Sequence, residues 1–126
     1  APEHLGLYCL LNAGTQRTAA NISCQQAIAG DSAFSLGMLA DMRGLEAEPY
    51  QYRQLFWQAG AIGQTLYLDA EAEGLRGTGI GCYYDDFMHD LLGLSAEDYQ
   101  VLYHFTVGVP LTDHRITTWR PYQERR

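Results

Sequence analysis

The segment GLRGTGIGCYYDDF, residues 74–87, concentrates residue types that could do chemistry. Glycines alternate along it at 77, 79 and 81, which would let the backbone pass close to a planar or anionic group with its amide N–H groups free to donate. The spacing does not fit the GxGxxG pattern of dinucleotide-binding folds, because no helix begins directly after the last glycine. Three interpretations stay open: a cradle for a planar or anionic ligand, a metal site, or a tight turn.

Several polar side chains follow these glycines, and Asp85, Asp86, His89 and Asp90 are candidate metal ligands. Aspartates at the start of a helix need no metal, because the helix dipole and the free amides account for them. We therefore predict no metal site. His104 has apolar neighbours in a strand-like segment, which favours a hydrogen-bonded core histidine over a catalytic one.

The composition excludes several classes of function. All eight basic residues are arginine, so lysine Schiff-base chemistry and the Walker A lysine are ruled out. A formal net charge of −7 disfavours nucleic acid as a partner, and no apolar stretch is long enough to predict a membrane span. No GxSxG elbow supports a hydrolase. Four arginines near the C-terminus form either a local anion site or a solvated basic end, namely Arg115, Arg120, Arg125 and Arg126.

The number and spacing of the cysteines indicate the redox compartment of the protein. Cys9, Cys24 and Cys82 are odd in number and widely spaced, so they form neither a CxxC metal signature nor a paired disulfide framework. We predict buried thiols in a reducing compartment, the cytoplasm. The chain opens without a basic segment followed by an apolar run, which is not typical of a secretory signal, and its first residue is not Met, which is typical of a processed or excised end.

The elements that would position these residues follow from hydrophobic periodicity and from turn signals. In chain order they are a strand at 5–16, a helix at 18–29, a buried strand at 32–42, a long helix from about 50 to 74, the glycine-rich loop, a short helix at 85–92, a strand at 99–110 and an extended tail. Gly60 and Gly63 inside the long helix would admit either another backbone or a flat ligand. This order predicts an α+β fold with a central sheet packed on a long buried helix.

The run from Phe56 to Leu94 resembles the nitroreductase superfamily of flavoproteins, and within it the branch containing the thiazoline/oxazoline dehydrogenases. The motifs occur in the family's order: AG at 59–60, Gln64, LYL at 66–68, GL at 74–75, IG at 80–81, DD at 85–86, LLGL at 91–94, VGVP at 107–110 and RIT at 115–117. The resemblance implies one nitroreductase-like domain over residues 1–126. It matches only the C-terminal half to two thirds of the family domain, without the family's N-terminal helices.

The resemblance also implies a cofactor and its contacts. FMN would be held at a homodimer interface, with the backbone at Gly79, Ile80, Gly81 and Cys82 beside the isoalloxazine ring. Arg115 would pair with the FMN phosphate, as a bidentate guanidinium can. The implied activity is that of an FMN-dependent oxidoreductase, with hydride passing from NAD(P)H through the flavin to or from a small organic or peptide substrate.

No catalytic residue is assigned. The dehydrogenase branch places a Lys-Tyr pair before the long helix, where this chain has Glu46 and Ala47, with Tyr50 and Tyr52 nearby. Azoline oxidation by that route is therefore not expected.

A second hypothesis is a flavin-free, truncated nitroreductase-like domain that acts as a binding or structural subunit. The missing N-terminal half and the absent Lys-Tyr pair motivate it. Under either hypothesis we expect a homodimer or a heteromeric partner that supplies the missing half, because Phe56, Trp57 and Tyr67 leave little of the long helix polar.

Overall fold

The computed structural model describes residues 3–122 and has the predicted α+β architecture. Its elements are short 3-10 helices at Glu3–Leu5 and Leu45–Ala47, helices α1 (Gln16–Ile22), α2 (Ala27–Asp31), α3 (Gln51–Ala72) and α4 (Asp85–Leu92), and strands β1 (Phe34–Asp41), β2 (Arg76–Ile80) and β3 (Tyr99–Gly108). The predicted long helix, short helix and last strand are therefore confirmed, with ends shifted by a few residues at most. The strand predicted at 32–42 is present as β1, but the prediction that it is buried is wrong: Ala40 is its one buried residue, because β1 lies at the edge of the sheet. The tail after Gly108 contains no helix or strand as far as residue 122.

The sheet is antiparallel, with the order β1-β3-β2, so that β3 lies in the centre. Its register pairs Gly37 of β1 and Ile80 of β2 with the same residue, His104 of β3. Six residues of β3 are buried, namely Val101, Leu102, His104, Phe105, Thr106 and Val107. A central strand covered on both faces needs an almost continuous apolar run, which is what the sequence of β3 provides.

Helix α3 covers one face of the sheet through small residues. Ala59, Gly63 and Ala70 are its buried positions. A Cβ atom on Gly63 would lie 2.8 Å from Cε1 of Tyr103, so this glycine allows a side chain of β3 to pack closely against the helix. Nothing lies within 4 Å of a Cβ placed on Gly60. The two glycines therefore differ, and only Gly63 is required by the packing of this chain.

The long helix is less buried than the sequence predicts. Trp57 is 64% exposed, Ile62 52% and Leu68 61%, so several large apolar side chains of α3 are not covered by the sheet. The reason is that the three-stranded sheet can cover only one side of a helix. In a single chain α3 is therefore buried on one side only, and the expected burial of its other sides against a second protomer stays a prediction.

Helices α1, α2 and α4 cover the other face. The predicted helix at 18–29 is wrong as one element, because it is interrupted between α1 and α2, where Cys24 and Gln25 adopt left-handed backbone angles (φ 55° and 59°). The predicted strand at 5–16 is also wrong. No strand pairing is described for residues 6–15, and an apolar run without a partner strand has no ladder to join.

Residues 76–80 of the predicted glycine-rich loop form a strand, β2. Gly77 and Gly79 lie in β2 and pair with Val107 and Phe105 of β3. Glycine is a poor strand former, so the sequence favoured a loop at this place. Strand β2 forms here because side chains of neighbouring elements occupy the space that larger side chains at Gly77 and Gly79 would need.

Candidate functional site

Three aromatic rings occupy the space under the glycines of β2. A Cβ on Gly77 would lie 2.7 Å from Cζ of Phe105, and one on Gly79 would overlap the Tyr103 hydroxyl. The Gly79 amide donates a hydrogen bond to the Tyr67 hydroxyl at 2.8 Å. Tyr67 and Tyr103 both meet Phe105 edge-on, with ring centroids 4.8 and 6.3 Å away. These three residues, the ring layer, explain why glycines alternate in β2.

The backbone opens to solvent just after this strand. Ile80 is 2% exposed, and the next two residues, Gly81 and Cys82, are exposed. Nothing lies within 4 Å of a Cβ placed on Gly81. Of the four predicted ring-contacting residues, Gly79 is thus engaged with the chain's own tyrosines and Ile80 is buried. Gly81 and Cys82 are exposed, and the Cys82 carbonyl accepts a hydrogen bond from Gln26.

Arg115 lies apart from this strand, in the tail. Its guanidinium pairs with the Asp113 carboxylate, with Nη2 and Oδ2 2.6 Å apart, and its side chain is 88% exposed. The hydrogen bonds from Arg115 hold the pKa of Asp113 below its usual value. The described contacts of Arg115 are with its near neighbour in sequence, and they do not join it to residues 79–82. Of the other tail arginines, Arg125 and Arg126 lie outside the described residues.

Two of the three cysteines are bonded, contrary to the prediction of free, buried thiols. Cys24 and Cys82 form a disulfide with Cα atoms 5.9 Å apart, and Cys9 is free and exposed. The bonded residues are 58 apart in sequence, so their spacing gave no hint of pairing. The turn between α1 and α2 brings them together by packing against the residues after β2. The pairing removes the support that the cysteines gave to a reducing compartment.

Two hydrogen bonds accompany the disulfide. Gln26 Nε2 donates to the carbonyl of Cys82 at 3.1 Å, and the Tyr84 amide donates to the carbonyl of Ile22 at 2.8 Å. The segment 81–84 is therefore attached to the turn between α1 and α2 at three points. Sequence reasoning missed Gln26 and Tyr84, because neither residue type carried a signal for this contact.

His104 is the core histidine that the sequence predicts. It is 4% exposed, its Nδ1 lies 3.4 Å from the Ser23 hydroxyl, and its ring stacks on Tyr83 with centroids 4.4 Å apart. Burial lowers the pKa of His104, and the nearby Asp85 carboxylate opposes this shift. Burial likewise raises the pKa of Tyr83, whose hydroxyl donates to the carbonyl of Val101 at 3.4 Å. The imidazole is therefore biased toward its neutral form.

A cavity of about 210 Å³ adjoins His104 on this face of the sheet. Among its lining residues are Ala19 and Ile22 of α1, Ser23 directly after that helix, Ser35 of β1 and Met88 of α4. His104 Nε2 has no hydrogen-bond partner among the described residues. The packing on this face is looser and more polar than that of the ring layer.

The acidic residues after Gly81 lie where the sequence predicts. Asp85 and Asp86 occupy the first turn of α4, and Gly93 ends the helix in a left-handed conformation. His89 of the same helix is 6% exposed, and neither ring nitrogen has a partner among residues 3–122. Within that range no three His, Cys, Asp or Glu side chains are grouped as a metal site would require. Nor does any helix of the described chain have the length and apolar character to cross a bilayer.

Comparison with known families matches residues 12–109 to the Nitroreductase family. The chain belongs to the nitroreductase family. Among solved structures, this nitroreductase-family chain is similar to a protein of Anabaena variabilis classed as a nitroreductase, with 29% identity and a TM-score of 0.71. The similarity covers 79% of this chain and 20% of that protein. A search of curated protein sequences gave no match.

Two further structures share the fold at lower identity. The NADPH:FMN oxidoreductase of Vibrio harveyi, solved with NAD⁺, is 24% identical with a TM-score of 0.64, over 92% of this chain and 59% of that one. A protein of Exiguobacterium sibiricum classed as a nitroreductase and solved with FMN is 15% identical with a TM-score of 0.63, over 87% and 69%. The chain thus spans only a fifth of the Anabaena protein and less than two thirds of the Vibrio enzyme.

Proposed function

We propose that this nitroreductase-family chain is part of an FMN-dependent oxidoreductase, in which hydride passes from NAD(P)H through the flavin to or from a small organic or peptide substrate. The observation that carries the proposal is the family match over residues 12–109. The fold shared with an NADPH:FMN oxidoreductase and with an FMN-bound relative supports it. We propose the cytoplasm as its location, since NAD(P)H is available there.

We propose that the backbone of residues 79–82 lies beside the flavin ring. The exposed backbone at Gly81, with nothing within 4 Å of a Cβ position, suits the close approach of a flat ring. Because the Gly79 amide is already bonded to Tyr67, the outward N–H donors would come from Gly81 and Cys82. Gly79 and the buried Ile80 would hold these two residues in place, since both belong to β2.

We assign the flavin phosphate to Arg115. Its side chain is 88% exposed, so the guanidinium can turn from Asp113 toward a phosphate without leaving a buried carboxylate unpaired. A guanidinium binds phosphate through two parallel hydrogen bonds, which fixes the position of the ligand as well as its charge. FMN, when bound, would supply the hydride chemistry, and the chain would supply its position and the donors around it.

We further propose that a second copy of the chain covers the outer side of α3. Trp57, Ile62 and Leu68 are each more than half exposed on that helix, and large apolar side chains exposed in a single chain are typical of an interface. Sedimentation measurements on the purified chain should give the mass of a dimer. A mass that stays at 14.1 kDa at all concentrations would contradict the homodimer.

The first experiment is a visible absorption spectrum of the purified protein, followed by titration with FMN. We expect a yellow protein, or uptake of added FMN, and electron transfer from NAD(P)H. Arg115→Ala should weaken FMN binding roughly 10- to 100-fold, which is the loss of a charge-assisted hydrogen bond. Arg43→Ala is the matched control, because Arg43 is also an exposed arginine paired with an aspartate two residues away, and it should leave FMN binding unchanged.

One observation favours a second candidate, a flavin-free domain that acts as a binding or structural subunit. The chain's own rings fill the space beneath Gly77 and Gly79, and Tyr67 uses the Gly79 amide, so the glycines are explained without a ligand. A colourless protein that takes up no FMN at any concentration tested would favour this candidate. Equal FMN affinity of the Arg115→Ala variant and the parent would instead remove only the phosphate assignment.

A further inference from the structure

We infer that the Cys24–Cys82 disulfide is a reversible redox site that controls the mobility of segment 81–84, and through it the retention of FMN. The second part rests on the proposed function. The bond joins the turn between α1 and α2 to the residue directly after Gly81. The disulfide therefore links the backbone that we propose lies beside the flavin covalently to the turn between α1 and α2.

The position of the disulfide makes it accessible to a reductant. Cys82 is exposed and Cys24 is half-buried, and both lie outside the helices and strands. A disulfide that only staples a core would be shielded by it. The ten buried apolar residues of the described chain include neither cysteine.

The non-covalent contacts are sufficient to keep the segment near its place after reduction. The Tyr84 amide still donates to the Ile22 carbonyl, and Gln26 Nε2 bridges the carbonyls of Ser23 and Cys82 at 2.9 and 3.1 Å. The sheet and the ring layer do not involve either cysteine. Reduction should therefore loosen the segment without unfolding the chain.

The backbone conformation of the turn between α1 and α2 favours loosening of segment 81–84 once the disulfide is broken. Cys24 and Gln25 are consecutive non-glycine residues in the left-handed region, a conformation that persists only where the surroundings impose it. The disulfide is a covalent part of those surroundings. When it is broken, the turn can relax toward ordinary backbone angles, and the attachment to Cys82 is then weakened on both sides.

The reaction is thiol–disulfide exchange with a dithiol reductant. One thiolate of the dithiol attacks the sulfur of Cys82, the Cys24–Cys82 bond breaks, and Cys24 leaves as a thiolate that takes up a proton. The second thiolate of the same dithiol then attacks the dithiol sulfur that is bonded to Cys82, which closes a cyclic disulfide and releases Cys82 as a thiolate that takes up a proton. The protein gains two electrons and two protons, and the dithiol becomes a cyclic disulfide. Disulfides that form in a reducing compartment are typically redox-sensing ones.

The test uses the full chain with Cys9→Ser, which removes the exposed free thiol and prevents disulfide exchange within the protein. Dithiothreitol is the reductant, and amide hydrogen exchange at Tyr84 is the main readout. We expect amide exchange at Tyr84 to become about tenfold faster on reduction, while the far-UV circular dichroism stays unchanged. On reoxidation the exchange rate should return to its original value. The variant Cys24→Ser/Cys82→Ser should behave like the reduced form under all conditions. FMN should bind the oxidised form about tenfold more tightly, because the loosened segment loses its ordered arrangement.

Two results would overturn the inference: unchanged Tyr84 exchange on reduction, or cooperative unfolding of the reduced chain, which would make the disulfide a structural staple. FMN bound equally well by both forms would overturn the control of flavin retention while leaving the proposed function intact. If neither form takes up FMN, the proposed function fails, and the exchange data alone then support or overturn the redox site.

Discussion

The two faces of the sheet are built on different principles. On the face toward α3, the ring layer is fitted to glycines so closely that a single methyl group at Gly79 would overlap the Tyr103 hydroxyl. On the face toward α1 and α4, His104 and Thr106 are buried polar residues, and His104 lines a cavity of about 210 Å³. One face is therefore closely packed with aromatic rings, whereas the other is more loosely packed, contains buried polar groups and carries the Cys24–Cys82 disulfide.

This difference indicates which part of the molecule can change its conformation. Tightly packed rings transmit any change in volume to the strand above them, so β2 is fixed in position. The opposite face has room and a covalent attachment that a reductant can reach. The backbone after Gly81 belongs to both regions, since it follows β2 and is bound to the turn between α1 and α2.

The largest effect is expected on the α3 face. Phe105 is completely buried and touches both tyrosines of the ring layer, so Phe105→Ala should lower the free energy of unfolding by about 4 kcal/mol. Urea unfolding at a fixed protein concentration measures this. A loss below about 1 kcal/mol would show that the ring layer is not the main core.

A smaller loss of stability should follow from adding one methyl group to β2. Gly79→Ala would place a Cβ 2.6 Å from Cζ of Tyr103, so the ring or the strand must shift, at a cost of about 2 kcal/mol. Gly81→Ala is the matched control, because its Cβ meets nothing within 4 Å, and a change within about 0.5 kcal/mol is expected. Equal effects of the two variants in urea unfolding would refute the packing argument for the alternating glycines.

The other face should respond to pH. Because burial lowers the pKa of His104 in the folded chain, the unfolded chain binds its proton first as the pH falls through about 6.5, and stability falls with it. The slope for one such group is at most about 1.4 kcal/mol per pH unit. Unfolding of the parent and of His104→Gln should be compared between pH 7.5 and 5.5. The variant should lose part of the pH dependence, and an unchanged slope would exclude His104 as its source.

The smallest expected effect is a gain. Ala19→Met adds volume into the cavity from α1 and should raise the free energy of unfolding by about 0.5 kcal/mol. Asn21→Met, at an exposed position of the same helix, controls for helix propensity. Thermal unfolding of the two variants gives the comparison. Destabilisation by Ala19→Met would show that this face is packed as tightly as the other.

Much of the fold could be predicted from the sequence, because the local patterns of α3, α4, β1 and β3 give the type and place of each element, although α3 and β1 are more exposed than their apolar residues indicate. Residues 5–16 show the limit of such patterns, since an apolar run becomes a strand only where a partner edge is available. The break between α1 and α2 was equally hidden. The break coincides with the bond between Cys24 and Cys82, and neither neighbourhood in the sequence points to the other.

The candidate site was predictable to a smaller extent. Motif order predicted the family, which the comparison confirmed over residues 12–109. The assignments of Gly79, Ile80, Gly81, Cys82 and Arg115 remain predictions. The role of the alternating glycines was the point that local spacing could not resolve, because the rings that require them come from α3 and β3.

The sheet order has a consequence for the time at which the protein folds during synthesis. Strands β1 and β2 pair only with β3, which is the last of the three to be translated. Neither earlier strand can complete its ladder until Tyr99–Gly108 has emerged from the ribosome, so β1 stays unpaired from residue 41, and β2 from residue 80, until β3 is available. Folding of this domain is therefore expected to be a late event, completed in one step rather than built up residue by residue.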